Sequence, residues 1–501
     1  MRILIDTNIF IYREDNKVAP SDLSKLFQLL NKQGVSIFVH KLSIEEVKKD
    51  KDEKRKRVVL SKIENYPICS ETLIPETGSE FEKTIGPPSN EHDYVDNVLL
   101  FNIYKNAFVF FVTEDRAIHR KAQHLGISDR VFNAKEALAF FIEYEKDEMV
   151  LLPSEINHVS IASLNYDDPI LDTLKGDYET GTESTAFRDW WIKISREGRK
   201  AWVYDTEQGI GALLILKDED EEIAAIPPQP KKRRLKICTF IVSATGLKIG
   251  ELFIKISIEY AMKNDIDEIY LTHFTKNDDL LIELIEEFGF TLIATRGDGE
   301  SIYLKKLKPD REGATSSEIS RLFYPSFCDG LNVDKFVVPI QPRYYKRLFI
   351  DRDDRQMMLP GISGEMIVER NTIKKAYLSK SRIRSLKPGD ILLFYRSEDY
   401  KAITIIGVVE KVYANTTDPD EIIRNVGKRS VYTKKEIADM AVDPTMVIIF
   451  NYHFHLNPVA LDTLMAKGIL NGPPQTIQSM SHEKYIILKR IGGVDERFTV
   501  N

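Results

Sequence analysis

The chain has 501 residues, which at roughly 150 residues per domain points to about three domains. Hydrophobic residues make up 43% and charged residues 29%, a balance that suits a globular protein with several cores and needs no disulfide or metal staple. No run approaches the roughly 18 apolar residues of a membrane span, and the opening MRILIDTNIF lacks a signal-peptide pattern, so the expectation is a cytoplasmic chain with no membrane partner.

Cys69, Cys238 and Cys328 stand far apart with no CxxC pair, which predicts small buried hydrophobes in a reducing compartment. The formal charge of −7 hides an asymmetry. Residues 1–150 carry 22 basic against 25 acidic side chains, residues 151–310 carry 20 against 29, and residues 311–501 carry 28 against 23. A basic last third on an acidic protein points to an anionic partner there.

In chain order, the first third alternates short apolar runs with helical patterns. Arg2–Ile5 reads as a strand, Leu23–Leu30 as a helix and Gly34–Val39 as a strand. A charged helix and a helical stretch from Tyr94 follow, then the strand-like run Ala107–Val112. Such alternation predicts βαβ units and a parallel sheet covered on both faces. A boundary is expected near Tyr144–Pro153.

The middle third reads as strand Gly209–Leu216, an exposed inter-strand loop PPQPKKRR at 227–234, and strand Leu235–Ser243. An amphipathic helix Gly250–Met262, strand Glu268–Thr272 and a helix over Asp279–Phe288 come next. Strands near Thr291–Ala294 and Ser301–Leu304 lead into a linker at Lys308–Ser317. By composition PPQPKKRR also reads as a nuclear signal. The last third has strand-like runs at Ile391–Tyr395, Ile403–Val412, Met446–Phe450 and Tyr485–Leu488, with a helix at Lys434–Met440. The pattern is that of a small mixed or barrel-like β domain with helices.

Three acids fall just past apparent strands. Asp6 follows Ile3-Leu4-Ile5, Glu46 lies beyond Ser36–Val39 at a helix start, and Asp115 follows Val112 through Thr113 and Glu114. Asp96 sits on an amphipathic helix with Asp93 one turn earlier. Sites in open parallel sheets gather at the carboxyl edge of the strands, and four carboxylates there call for divalent cations. Mg²⁺ or Mn²⁺ would suit such a set and support in-line attack on a phosphate. Read singly, each acid is a helix cap or a solvated face. The basic run Lys48, Lys49, Lys51, Lys54, Arg55, Lys56, Arg57 either tracks an RNA backbone or forms a solvated helix with Asp50, Asp52 and Glu53.

The ordered set ILIDTN, IEEV, YVDNVLL and VTEDRAIHRKA resembles the PIN-domain ribonucleases over residues 1–145. That resemblance implies a metal-binding and catalytic set at Asp6, Glu46, Asp96 and Asp115, with Asn8 supporting the first acid. Glu45 and Glu114 are the neighbours that could be mistaken for ligands.

FIVSATGLKIGE followed by a helix, with KNDDLLIELIEEFGF further on, is similar to the GNAT acetyltransferases over residues 155–310. The resemblance implies acetyl-CoA at a turn before the helix, where backbone N–H groups cradle a pyrophosphate. The implied contacts are Val242, Lys248, Ile249, Gly250 and Asn277. Of the family's turn motif, which falls on Thr245, Lys248 and Gly250, only the last glycine agrees, and the family's general-acid tyrosine position holds Ile285. His273 reads as a base or a structural histidine.

KKAYLSKSRIRSLKPGDILLFYRSEDYKAITIIGVVEKVY reads as a basic helical stretch, a tight turn and two strands, the first carrying Phe394 and Tyr395. It resembles the PUA-like superfamily, in its ASCH/EVE branch, over residues 335–490. The resemblance implies RNA or modified-base binding, through Lys374, Lys375, Tyr395, Arg396 and Arg429, with aromatics beside Arg stacking unpaired bases. The plain alternative is that Phe394 and Tyr395 alternate across a strand, one in the core and one on the surface.

The fold class expected is α/β multidomain: a parallel-sheet PIN-like domain, a mixed α/β GNAT-like domain and a C-terminal PUA-like β-barrel with helices. The function expected is a metal-dependent endoribonuclease acting on tRNA, rRNA or mRNA, toxin-like by analogy, with an antitoxin protein and a homodimer as expected partners. The alternatives are a GNAT-type acetyltransferase acting on an RNA-bound or protein substrate, and a non-catalytic RNA-binding regulator.

Overall fold

The computed structural model describes residues 1–9, 21–63, 66–69, 73–145, 156–178, 186–206, 209–243, 248–275, 279–310, 313–349 and 372–501. It is a mixed α/β protein built on three main sheets. The boundary expected at Tyr144–Pro153 falls mostly outside the described residues.

The first sheet joins β1 (Arg2–Ile5), β2 (Ser36–His40), β3 (Ile68–Cys69), β4 (Phe110–Val112) and β5 (Val131–Phe132) in the order β3-β2-β1-β4-β5. Every pairing in it is parallel. Both faces are covered, which is why its strands read as unbroken apolar runs. Ile3 and Ile5 join one core with Leu26 and Phe27 of the helix Ser21–Lys32, and Leu4 joins another with Leu99 and Ile118. In this order the chain reverses direction across the sheet between β1 and β4, so the carboxyl ends of those two strands flank the topological switch point.

The second sheet has seven strands: β6 (Ile156–Ser160), β7 (Lys200–Thr206), β8 (Gly209–Ile223), β9 (Gln229–Val242), β10 (Glu268–His273), β11 (Thr291–Thr295) and β12 (Ser301–Lys306). Their order is β11-β12-β10-β9-β8-β7-β6. Only β9 and β10 run parallel, over three residue pairs ending at Ile237 and Leu271. The expected loop at 227–234 is instead the start of β9, the second arm of a long hairpin. The cause is cross-strand charge pairing. Glu219 stands opposite Arg234, Asp220 opposite Arg233 and Glu221 opposite Lys232. Arg233 binds Asp218 (2.6 Å), and Lys232 and Arg234 share Glu268 (2.7 and 2.8 Å).

Beyond the short pair β13 (Phe327–Cys328) and β20 (Thr499–Val500), the third sheet combines β14 (Lys335–Ile340), β15 (Lys374–Ser379), β16 (Ile391–Arg396), β17 (Ala402–Thr416), β18 (Thr445–Ala460) and β19 (Gln478–Met480). The order β15-β18-β17-β16-β14-β19 leaves its edge strands unpaired with each other, so among the described residues it is an open mixed sheet and not a closed barrel. Two local expectations change here. Lys374–Ser379 is a strand and not a helix, paired along its length with β18. Tyr485–Leu488 belongs to the helix His482–Gly492, capped by Ser481 and closed by Gly493 in the left-handed region. Tyr485 and Leu488, three apart, are buried while Ile487 is exposed, a helical and not an alternating pattern.

One core runs through the first and third sheets together, uniting Ile3 and Phe141 with Phe336, Ile405 and Ile448. Of the cysteines, Cys69 is buried, whereas Cys238 and Cys328 are half-buried and no disulfide forms. Burial raises the thiol pKa of both half-buried ones.

Lys305 of β12 is wholly buried, its Nζ donating to the Phe288 (2.7 Å) and Leu322 (3.0 Å) carbonyls. Burial pulls its ammonium down to about 7 from an ordinary 10.5. Because the unfolded chain then holds more protons between those two values, stability contributed by this site rises with pH from about 7 toward 10.5. Urea unfolding across that range should show a steeper rise for the wild type than for Lys305→Met; equal slopes would contradict a depressed amine.

Candidate functional site

The carboxyl edge of β1 and β4 is held together by backbone and side-chain bonds. The Asp6 N–H donates to the Val112 carbonyl (3.0 Å), so the residue after β1 is still tied to β4. Thr113, the residue after β4, donates its hydroxyl to Asp6 Oδ2 (2.7 Å) and accepts from Asn8 Nδ2 (3.1 Å) and from the Asp115 N–H (3.0 Å). Asn8 therefore supports Asp6 through Thr113. Asp115 caps the helix Arg116–His124, its Oδ1 accepting from the N–H groups of Ala117 (2.7 Å) and Ile118 (3.2 Å).

Asp96 comes from the helix Glu91–Tyr104 and is 6% exposed. His92 lies one turn earlier on the same face. One ligand atom from each of His92, Asp96 and Asp115 lies within 4.8 Å of the other two. Glu46 sits in the second turn of the helix Lys41–Lys48, which begins five residues before it, and bonds His92 Nδ1 (2.9 Å). The structure thus gathers Asp96 and Asp115 with His92, sets Asp6 near enough for its charge to act on Asp96, and places Glu46 one hydrogen bond further out. His92 is the member that sequence reasoning missed; its place four residues before Asp96 was the available signal.

The two neighbouring acids play other parts. Glu114 Oε1 accepts from the Ala134 N–H (2.9 Å) at the start of the helix Ala134–Glu145. Glu45 is exposed. Lys121, the nearby cation, is committed to Asp93 and to Asn97 Oδ1 (2.6 Å).

Burial raises the Asp6 pKa, with the Asp115 charge adding to it against the hydrogen bonds from Thr113 and the backbone. Burial is also the main force on Asp96, which is pushed up to about 7 because the charges of Asp6, Asp115 and Glu46 add to it and His92 offsets only part. For His92, burial pulls downward, but the bond from Glu46 and the charges of Asp96, Glu46 and Asp115 outweigh it and raise the pKa. A partly desolvated set of carboxylates that resist joint ionisation is the environment a divalent cation relieves. The donor set fits one: oxygens suited to Mg²⁺ or Mn²⁺, with an imidazole that widens the choice toward other first-row metals.

Of the residues expected to hold acetyl-CoA, four lie where a strand ends and the next helix begins. Val242 ends β9, and Lys248 precedes the helix Ile249–Lys263 in the left-handed region (φ 53°). A Cβ on Gly250 would lie 2.5 Å from Leu284 Cδ2, so this glycine serves helix packing. Asn277 lies outside the described residues. His273 Nε2 meets Asp279 Oδ2 (2.6 Å), the residue that caps the helix Leu280–Glu287. In the first turn of Ile249–Lys263, Glu251 is buried, accepts from the N–H groups of Ile373 (2.7 Å) and Lys374 (2.8 Å), and pairs with Arg429.

The five residues expected to meet RNA are interior. Lys374 bridges Glu287 (2.9 Å) and Glu410 (3.0 Å); burial opposes its charge, but the two carboxylates outweigh it and raise its pKa. Lys375 is buried and its ammonium is pulled well below its ordinary value, by burial first and then by Lys255. Tyr395 is 1% exposed and packs in one core while Phe394 packs in another, so neither reaches the surface. Arg396 forms a two-point pair with Asp399 (2.9 and 2.6 Å). Arg429 binds Asp129 of the first sheet region (3.2 Å) and Glu251 of the second. The anions that Lys374, Arg396 and Arg429 meet belong to the chain itself.

Two outcomes follow. Asp96→Asn should stabilise the metal-free protein by about 1 kcal/mol of relieved repulsion, raising its thermal midpoint, and abolish the further rise that Mn²⁺ gives the wild type. An unchanged response to Mn²⁺ would contradict the site. Arg429→Met should cost about 3 kcal/mol or more in urea unfolding, since it leaves Glu251 buried without its cation; a cost under about 1 kcal/mol would place the pair among ordinary surface bridges.

No family model matches the chain, and no curated protein matches it. Distant solved structures include an ASCH protein from Zymomonas mobilis, 14% identical, covering 31% of this chain and 94% of that one with a TM-score of 0.23. They also include the PaiA N-acetyltransferase from Thermoplasma acidophilum in complex with coenzyme A (18% identical, 30% and 98% covered, TM-score 0.23) and the N-acetyltransferase PseH from Campylobacter jejuni (12%, 30% and 97%, TM-score 0.20).

Proposed function

We propose that the protein is a metal-dependent phosphodiesterase acting on RNA, centred on Asp6, Asp96, Asp115 and the Glu46–His92 pair. The observation that supports this reading is the convergence of His92, Asp96 and Asp115 ligand atoms within 4.8 Å at the switch point of a parallel sheet. When bound, a divalent cation supplies the countercharge for the acids and lowers the pKa of a coordinated water. Asp96 on its helix and Asp115 at the start of another would hold it with His92, and Asp6, just past β1, would add its carboxylate, which Thr113 orients. Glu46 fixes the His92 ring through Nδ1 and turns Nε2 toward the acids, 3.9 Å from Asp96 Oδ2. His92 is 69% exposed in its side chain, so it stands on the open side where a substrate enters.

The basic run after Glu46 supplies the path. Lys49 pairs with Glu91, Arg55 with Asp50 (2.7 Å) and Lys56 with Glu53 (2.5 Å). Lys48, Lys51, Lys54 and Arg57 are exposed and make no ion pair among the described residues. These four cations suit a phosphate backbone next to the acids.

A second reading, acyl-CoA binding by the second sheet, is favoured by the brief parallel pairing of β9 with β10, beyond which the two strands share no ladder. Titration calorimetry with acetyl-CoA tests it; the Glu251 contacts at the helix start weigh against it.

The main test is cleavage of total RNA with Mn²⁺ or Mg²⁺. The double variant Asp6→Asn, Asp96→Asn should lose about 10²-fold or more of the rate, and His92→Gln should lose less. Cleavage that persists in the folded double variant, or none by the wild type, overturns the reading.

A further inference from the structure

A cavity of about 290 Å³ lies between the first and third sheet regions. Tyr104, Asn106 and Arg130 line it from one side, and Glu410, Tyr413 and Arg424 from the other. Three cations (Arg130, Lys411, Arg424) and three acids (Asp129, Glu410, Glu421) line it. The buried Arg130 guanidinium donates to Val109 O (3.1 Å), Asn106 Oδ1 (2.8 Å) and Phe108 O (2.7 Å), all neutral acceptors. Arg424, half-buried on the helix Pro419–Val426, makes no ion pair among the described residues. Burial, and then the Arg424 charge, pull Arg130 down to about 9.

The acids of the same cavity are engaged elsewhere. Asp129 binds Arg429 (3.2 Å), Glu410 Oε1 binds Lys374 (3.0 Å) and Glu421 accepts from Thr416 (2.5 Å). Lys411 Nζ donates to the Gly126 carbonyl (2.9 Å). What remains uncompensated is a pair of guanidiniums that repel each other. A molecule that satisfies both guanidiniums carries a dianionic head. The tyrosines offer ring surface beside it, and the volume is at the lower limit for a small-molecule site.

We propose that this cavity binds a nucleoside monophosphate, the phosphate between Arg130 and Arg424 and the base against the Tyr104 and Tyr413 rings. This assignment is independent of the acidic cluster, so the two can fail separately.

The test is titration calorimetry of the full chain with AMP and GMP, with inorganic phosphate and with the two nucleosides as controls. Arg424→Gln is the variant of choice because it leaves the Arg130 bonds to carbonyls in place. At least one nucleotide should bind the wild type, and the affinity should fall about tenfold or more in Arg424→Gln and for the nucleoside lacking its phosphate. Binding should persist in the Asp6→Asn, Asp96→Asn variant. The proposal is overturned if neither nucleotide binds at millimolar concentration or if Arg424→Gln binds as the wild type does. It is also overturned if inorganic phosphate binds as tightly as the nucleotides.

Discussion

Arg429 joins the three sheets. Its guanidinium reaches Asp129 in the first region and Glu251 in the second while its backbone belongs to the third. Desolvating that charge is costly, and only the combined field of the acids around it makes the buried cation tolerable. Lys374 repeats the arrangement beside it, tying Glu287 of the second region to Glu410 of the third, and Lys428 adds a bond to Glu136. Removing any one partner leaves a buried charge of the opposite sign, so the relative placement of the sheets rests on a small set of mutually dependent ions.

That network accounts for part of the charge distribution in the sequence. Arg429 and Lys374 of the basic last third meet Glu251 and Glu287 of the acidic middle third. Net charge per segment reports an attraction without saying whether the partner is another molecule or another part of the same chain. Arg429 is a buried countercharge and Lys374 a half-buried one, while Lys375 is buried with its ammonium pulled well below its ordinary value.

The parallel first sheet was legible because strands buried on both faces leave continuous apolar runs, and Asp6 and Asp115 stood in register just past two of them. His92 was passed over: its place four residues before Asp96 on the helix Glu91–Tyr104 was a signal, but its role shows only when Glu46 is brought to it from a different helix. Local pattern failed wherever charge pairing decided the conformation. KKRR at 231–234 looks like a loop and is a strand because DEDEE lies across from it. KKAYLS looks like a helix and is an edge strand because Glu251, Glu287 and Glu410 receive its first residues. For Tyr485–Leu488 the apolar run was too short to separate period 2 from period 3.6, and Ser481 and Gly493 settled it as a helix.

The core shared by the first and third sheets has a bearing on how the chain is made. Phe132 and Tyr144 lie near Lys428 and Lys434, nearly three hundred residues later, and the same apolar cluster includes Phe336, Ile405 and Ile448. During translation the first sheet leaves the ribosome long before those partners exist. At ordinary elongation rates the gap is on the order of tens of seconds. Through that interval one apolar side of the nascent first sheet lacks its cover, which makes it a natural client for a chaperone until the last third is synthesised.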